Sequence, residues 1–235
     1  MSDIFAASDA TWPAAAVHRA GAFLVREGQG GGQRVSSATA EAVWDAADLD
    51  AAEAMQRDLG QRLLFMVRPG DEALDAALEA RGYRVVDPVN IYAAPVAELL
   101  AEVPPLSAFT IWPPLAIMRD LWAEGGIGPG RLAVMARAEG PKTTVLGRVN
   151  DRAAGTAFVA IHRETAMMHA LQVVPEQRRQ GSAVKMMRKA AAWAQDHGAE
   201  RFLVLVTAAN AEANALYSSL GMRIVGQYHY RSKEP

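Results

Sequence analysis

The chain of 235 residues contains no cysteine. Disulfide bonds, thiolate nucleophiles and cysteine-ligated zinc are therefore excluded outright. It also lacks any block of lysine and arginine. With 24 basic and 26 acidic residues the net charge is −2, so no nucleic-acid partner is expected. No apolar run approaches the ~20 residues that span a bilayer, so no membrane partner is expected either. The opening MSDIFAASDATWP has neither the basic start nor the continuous apolar core of a signal peptide. These absences point to a soluble, cytoplasmic protein. Low-complexity sequence is confined to GQGGG at 28–32, between the strand-like segments AFLVRE and QRVSSAT. It reads as a hairpin or loop, since no helix start follows it directly as a phosphate-cradling loop requires.

What is present is the composition of an ordinary globular protein, 51% apolar and 21% charged. The length suits one large domain or two small ones sharing a core. The second half alternates regularly. TTVLGRV (143–149), GTAFVAIHR (155–163) and AMMHALQVV (166–174) read as three successive strands. A helix follows over 182–197, with apolar residues at Val184, Met187, Ala191 and Ala194 and Gly198 at its C-terminal end. FLVLVTA (202–208) is a short apolar run, as expected of a buried strand. NAEANALYSSLG (210–221) is a helix, and MRIVGQYHYR (222–231) is strand again. AEGGIGPGR (123–131) reads as a flexible glycine-rich loop.

The first half repeats this order faintly. LGQRLLFMV (59–67) resembles HGAERFLVLV (197–206), and DEALDAALEARGYRVV (71–86) resembles NAEANALYSSLGMRIV (210–225). Aligning Gly82 on Gly221 sets Asp71 against Asn210 and Leu78 against Tyr217. The segment ahead of the repeated strand has no R-x-x-G-x-A and carries five acids, Glu41, Asp45, Asp48, Asp50 and Glu53. A degenerate half at 1–95 without a coenzyme site, packed on the functional half and walling its pocket, and a functional half at 96–235 are therefore expected. The junction is the proline-containing stretch 95–114.

The chemistry concentrates in HALQVVPEQRRQGSAVKMMRKAA. A strand ends at Val174, a short loop carries Arg178, Arg179 and Gln180, and the small residues Gly181, Ser182 and Ala183 open a helix. Small residues allow close approach to the backbone. The first amides of a helix lack internal partners and carry partial positive charge. Such a turn can hold a pyrophosphate, and two arginines can add fork-like contacts.

The R-x-x-G-x-A spacing at 178–183 resembles the pyrophosphate loop of the GNAT acetyltransferase superfamily. About thirty residues on, Asn210, Ala213, Leu216, Tyr217, Leu220 and Gly221 match its N-x-x-A-x-x-L-Y-x-x-L-G segment. The resemblance covers roughly 110–231. It implies an α/β fold with a mixed, mostly antiparallel twisted sheet flanked by helices, and acetyl-coenzyme A as donor substrate with no metal. Two neighbouring strands should splay apart and admit the pantetheine, bonded by main-chain groups near Leu171 and Val173. Residues 179–183 should hold the pyrophosphate, with Arg178, and Asn210 should bind the pantetheine or adjacent backbone. Tyr217 should protonate the departing thiolate. The acceptor is an unidentified primary amine, whose proton must go to a base. MMHALQVVPEQRRQG is also locally similar to serotonin N-acetyltransferases, which implies His169 as that base. A second histidine of that group falls on Met167 here. Glu164 and His162 are alternatives nearer a turn. Tyr228 and Tyr230, in YHYR, are candidates for the acceptor pocket. The implied activity is N-acetyl transfer by a monomer or homodimer. The rival reading is a coenzyme-binding or sensing module without turnover.

Overall fold

The computed structural model describes residues 2–233; the outermost positions of the two expected halves, 1 and 234–235, lie outside the described residues. The first half runs α1 (Ser2–Thr11), β1 (Ala16–Ala20), β2 (Phe23–Glu27), β3 (Ala38–Ala40), α2 (Ala46–Asp58), β4 (Leu63–Val67), α3 (Glu72–Ala80) and β5 (Arg84–Pro95). The second runs α4 (Val96–Leu99), β6 (Ala108–Ile111), α5 (Ala116–Glu124), α6 (Pro129–Arg137), β7 (Lys142–Val149), β8 (Arg152–His162), β9 (Thr165–Val173), α7 (Ser182–Asp196), β10 (Arg201–Thr207), α8 (Ala211–Ser219) and β11 (Arg223–Lys233).

All eleven strands join one open sheet in the order β1-β2-β3-β4-β11-β5-β10-β9-β8-β7-β6. The repeat is visible in it. β3–α2–β4–α3–β5 matches β9–α7–β10–α8–β11, and the β3/β4 and β9/β10 pairs are both parallel. Gly82 and Gly221 end the matching helices at φ +83° and +79°, a region that disfavours side chains. The halves then exchange their last strands. β11 lies between β4 and β5, while β5 lies between β11 and β10. The limit at residue 95 thus ends a strand without dividing the sheet.

The exchange is pinned by one device used twice. In α3, Asp75 accepts hydrogen bonds from Arg231 at 2.7 Å and His229 at 2.8 Å on β11. The guanidinium of Arg231 holds its carboxyl below the usual range. In α8, Asn214 accepts from Asn90 at 2.8 Å and Tyr92 at 3.2 Å on β5. The offset that carries Gly82 to Gly221 also carries Asp75 to Asn214, Asn90 to His229 and Tyr92 to Arg231.

Alternating strand residues feed cores on opposite faces. Ala157, Val159 and Ile161 pack beneath α7 with Met186, Met187 and Ala191. Phe158 and Ala160 face the other way, onto α5 and α6, with Trp122, Met118 and Met135. In the first half Phe65, Leu49, Leu74 and Leu78 are wholly buried together. Each such leucine is worth ~2–5 kcal/mol against alanine.

Two local expectations differ. Within QRVSSAT, Gln33–Val35 form a turn of 3₁₀ helix and only Ala38–Ala40 are strand. AEGGIGPGR is not a free loop: α6 starts at Pro129, the first helical position where a missing N–H costs nothing. Gly130 serves packing. A Cβ on Gly130 would lie 2.5 Å from the Gly30 carbonyl oxygen, and one on Gly31 would lie 2.4 Å from Val134. GQGGG is thus a turn docked on the start of α6.

Candidate active site

β9 and β10 pair in parallel from Thr165/Arg201 to Met168/Val204, and there the pairing stops. Both strands continue, to Val173 and Thr207. The divergence begins at a bulge. Between Phe158/His169 and Thr156/Gln172 the β8–β9 register slips, and Ala170 sits at φ +53°. The buried indole of Trp122 donates to the Ala170 carbonyl at 2.8 Å and holds this turn. Beyond it the Val174 amide bonds the Ala154 carbonyl on β8. Antiparallel alternation then turns the main-chain groups of Val173, and of Leu171 two residues earlier, toward the gap.

A cavity of about 560 Å³ lies along the unpaired end of β9 on the α7 and α8 side. Leu171, Val173, Arg178, Arg179, Gly181, Ser182, Ala183 and Asn210 all line it. Gln180 does not; its side chain turns to Gln177 and the Glu176 carbonyl. Gly181 precedes α7 at φ +75°, and no side chain caps the helix. Its first amides are therefore open to a ligand. Arg178 donates to the Val173 carbonyl at 3.3 Å and meets Glu212 at 3.6 Å across the mouth. Asn210 caps α8 by accepting from the Ala213 amide at 3.0 Å. Tyr217, on the same helix, lies in the core with its ring 5.7 Å from that of Tyr92. Its hydroxyl makes no hydrogen bond among the described residues, and burial raises its pKa.

A second cavity, of about 320 Å³, opens from the gap on the other side of the sheet. Ala170, His169, Leu205 and Thr207 form its floor. Tyr228 and Tyr230 line it, with their hydroxyls 3.3 Å apart. Much of the remaining wall comes from the first half: Trp12, Gly31, Gly32, Gln33, Arg34, Asp87 and Val89. Of these, Gly31 and Gly32 lie in GQGGG, read from sequence as a hairpin or loop, and Trp12, Gln33, Arg34 and Asp87 carried no site expectation. Arg34 lay in a segment that reads as strand, and nothing local connects it to His169.

His169 is not the open base expected from its place on the strand. Both ring nitrogens are engaged. Arg34 Nη1 lies 3.0 Å from Nδ1, and a guanidinium can only donate, so Nδ1 accepts. Nε2–H then faces Thr11 Oγ1 at 2.9 Å, and Thr11 donates to the Ala7 carbonyl at 2.7 Å. Burial, and secondarily the charge of Arg34, press the imidazole pKa well below 6.5. It is a neutral ring with no free lone pair. His162 and Glu164 stand at the β8–β9 turn, at the far end of the strand from the gap.

Residues 114–222 match the acetyltransferase (GNAT) family. The match takes in both motifs, at 178–183 and 210–221, that resemble this family in sequence. It is 27% identical over 241 residues to the uncharacterized N-acetyltransferase YobR of Bacillus subtilis (strain 168), covering 95% of each chain. Among solved structures it resembles a GCN5-related N-acetyltransferase from Kribbella flavida, with TM-score 0.73 and 18% identity over 100% of this chain and 95% of that one. A tandem GNAT protein from the clavulanic acid biosynthesis pathway matches with TM-score 0.60 and 14% identity, over 90% and 77% of the two chains. These likenesses establish the fold. Among the described residues no cluster of metal-ligating side chains occurs, and no helix is long and apolar enough to cross a membrane.

Proposed function

We propose that the protein transfers an acetyl group from acetyl-coenzyme A to a primary amine by direct attack. The observation that carries this reading is the parting of β9 from β10, with one cavity between the two strands and another along the unpaired end of β9 at the starts of α7 and α8. Pantetheine lies in the gap as an added strand on Leu171 and Val173. The amides of 179–183 hold the pyrophosphate, and Arg178 exchanges Glu212 for it. That exposed pair is worth little, so the exchange costs little. Asn210 shapes the start of α8 against the coenzyme. The amine enters from the opposite cavity and attacks the thioester carbon. The C–S bond breaks, and Tyr217, protonated throughout the neutral range, supplies the proton to the thiolate. The ammonium proton leaves through water, because His169 has no lone pair to receive it; His169 instead positions Arg34. The first half binds no coenzyme.

The test is a panel of amines with acetyl-coenzyme A and detection of released thiol, alongside calorimetric titration. Turnover of at least one amine, with one mole of coenzyme bound per mole of chain, is expected. Binding without release across the panel would favour a sensing module, and two equivalent sites would restore a coenzyme site to the first half.

A further inference from the structure

We propose that the acceptor is a small amine bearing a carboxylate, and that Arg34 and Arg131 hold that carboxylate. This deepens the acyl-transfer reading and rests on it. The cavity on the acceptor side is lined by two guanidinium groups and a single carboxylate, Asp87, which is already hydrogen-bonded by the Gln33 amide. Neither arginine forms an ion pair among the described residues. Elsewhere in the chain Arg26, Arg68, Arg81 and Arg231 each meet an acid.

Arg34 is set up for one more partner. Its Nη1 is spent on His169, and its guanidinium lies 6.0 Å from the centre of the Trp12 ring. The terminal nitrogen left over is Nη2, a charged donor for a carboxylate oxygen. Nε is buried and makes no hydrogen bond. The chain His169–Thr11–Ala7 behind it fixes the guanidinium in place.

Arg131 approaches from the first turn of α6. Its side chain lies over Gly32, where an added Cβ would be 3.4 Å from its Nε, and it makes no hydrogen bond among the described residues. The two cations sit on walls contributed by different halves of the molecule. The rest of the lining mixes polar Gln33, His169 and Thr207 with the apolar or aromatic Trp12, Val89, Leu205, Tyr228 and Tyr230. At about 320 Å³ the cavity is at the small end of ligand sites, the size of an amino acid or dipeptide.

The experiment compares matched acceptors, amino acids against their carboxamides, by acetyl-coenzyme A-dependent thiol release. The carboxylate member should have a kcat/KM ~10–100-fold higher, expressed mainly in KM, as for one charge-assisted contact. Arg131→Gln and Arg34→Gln should each bring the ratio toward one. Arg131 has no polar contact within the fold to lose, so its variant remains readable if Arg34→Gln misfolds. Equal rates for both members of each pair, or a ratio untouched in Arg131→Gln, overturns the proposal. If no amine is turned over, the acyl-transfer reading fails separately. Calorimetry with N-acetyl-amino acids and their carboxamides then decides. Tighter binding of the charged series that weakens in Arg131→Gln upholds the carboxylate site, and equal or absent binding of both series overturns it.

Discussion

The helices α2 and α7 follow matching strands, and their N-termini are finished in opposite ways. In α2, Asp45 accepts from the Asp48 amide, Asp48 accepts from the Asp45 amide, and Asp48 also accepts from the Ala22 amide. In α7 a left-handed glycine leads into a helix that no side chain caps and whose first turn holds no acid. One terminus is closed by carboxylates and repels a pyrophosphate; the other is open to it. The contrast runs on along the next helix, where Leu78 is sealed in the core opposite a tyrosine with a free hydroxyl. Two copies of one architecture differ at matching places: one leaves a helix start and a hydroxyl unpartnered among the described residues, and the other closes and packs them.

The most severe way to break this comparison is to remove one partner. The fragment 100–235 lacks β5, so β10 loses its antiparallel neighbour and β11 loses both. It should fail to give a cooperative thermal transition by circular dichroism. A fragment that melts cooperatively and acetylates at the full rate would show that the halves are separable. Next comes the open helix start. Gly181→Glu puts a carboxylate where α2 already has one and should abolish coenzyme binding in calorimetry. Gly181→Ala isolates the ~1–2 kcal/mol of backbone strain at φ +75°. Affinity unchanged in the glutamate variant would take the pyrophosphate away from this turn.

Tyr217→Phe should lower kcat by ~10²–10⁴ with coenzyme affinity retained. A wild-type kcat would leave water as the proton donor, and Tyr217 would be as structural as Leu78. The smallest effect concerns His169, which joins the halves through Arg34 and Thr11. Folded, it stays neutral; unfolded, it takes a proton below pH ~6.5. Proton uptake therefore favours the unfolded chain, and stability should fall as pH drops below ~6.5, by up to ~1.4 kcal/mol per pH unit. His169→Gln should flatten that fall in melts between pH 7.5 and 5.5. Identical slopes would mean that the ring protonates in the folded state.

The second half was legible because its signals are local. Apolar runs, a helical period and two motifs of fixed spacing lie within residues 143–231, and the elements fall within three residues of where they were read. The larger cavity follows from them, since its walls come from consecutive segments. What stayed hidden depends on contacts distant in sequence. Nothing near Arg34 announces that it will meet His169. The glycines of 28–32 and 125–130 read as loops, although Gly31 and Gly130 are small because two segments touch. The interleaving of β5 and β11 was equally silent, since an exchanged strand has the same pattern as one that pairs at home. Even Asp75 and Asn214 became meaningful only once their partners across the sheet were known.

The two exchanged strands have a consequence for how such a protein changes over generations. Deletion of the first half would strip β10 of its antiparallel neighbour, so neither half can be lost without opening the sheet of the other. The first half also contributes Trp12, Gln33, Arg34 and Asp87 to the smaller cavity and none of the lining of the larger one. Mutations in the segment 28–35 can therefore reshape one cavity while the lining of the other stays as it is.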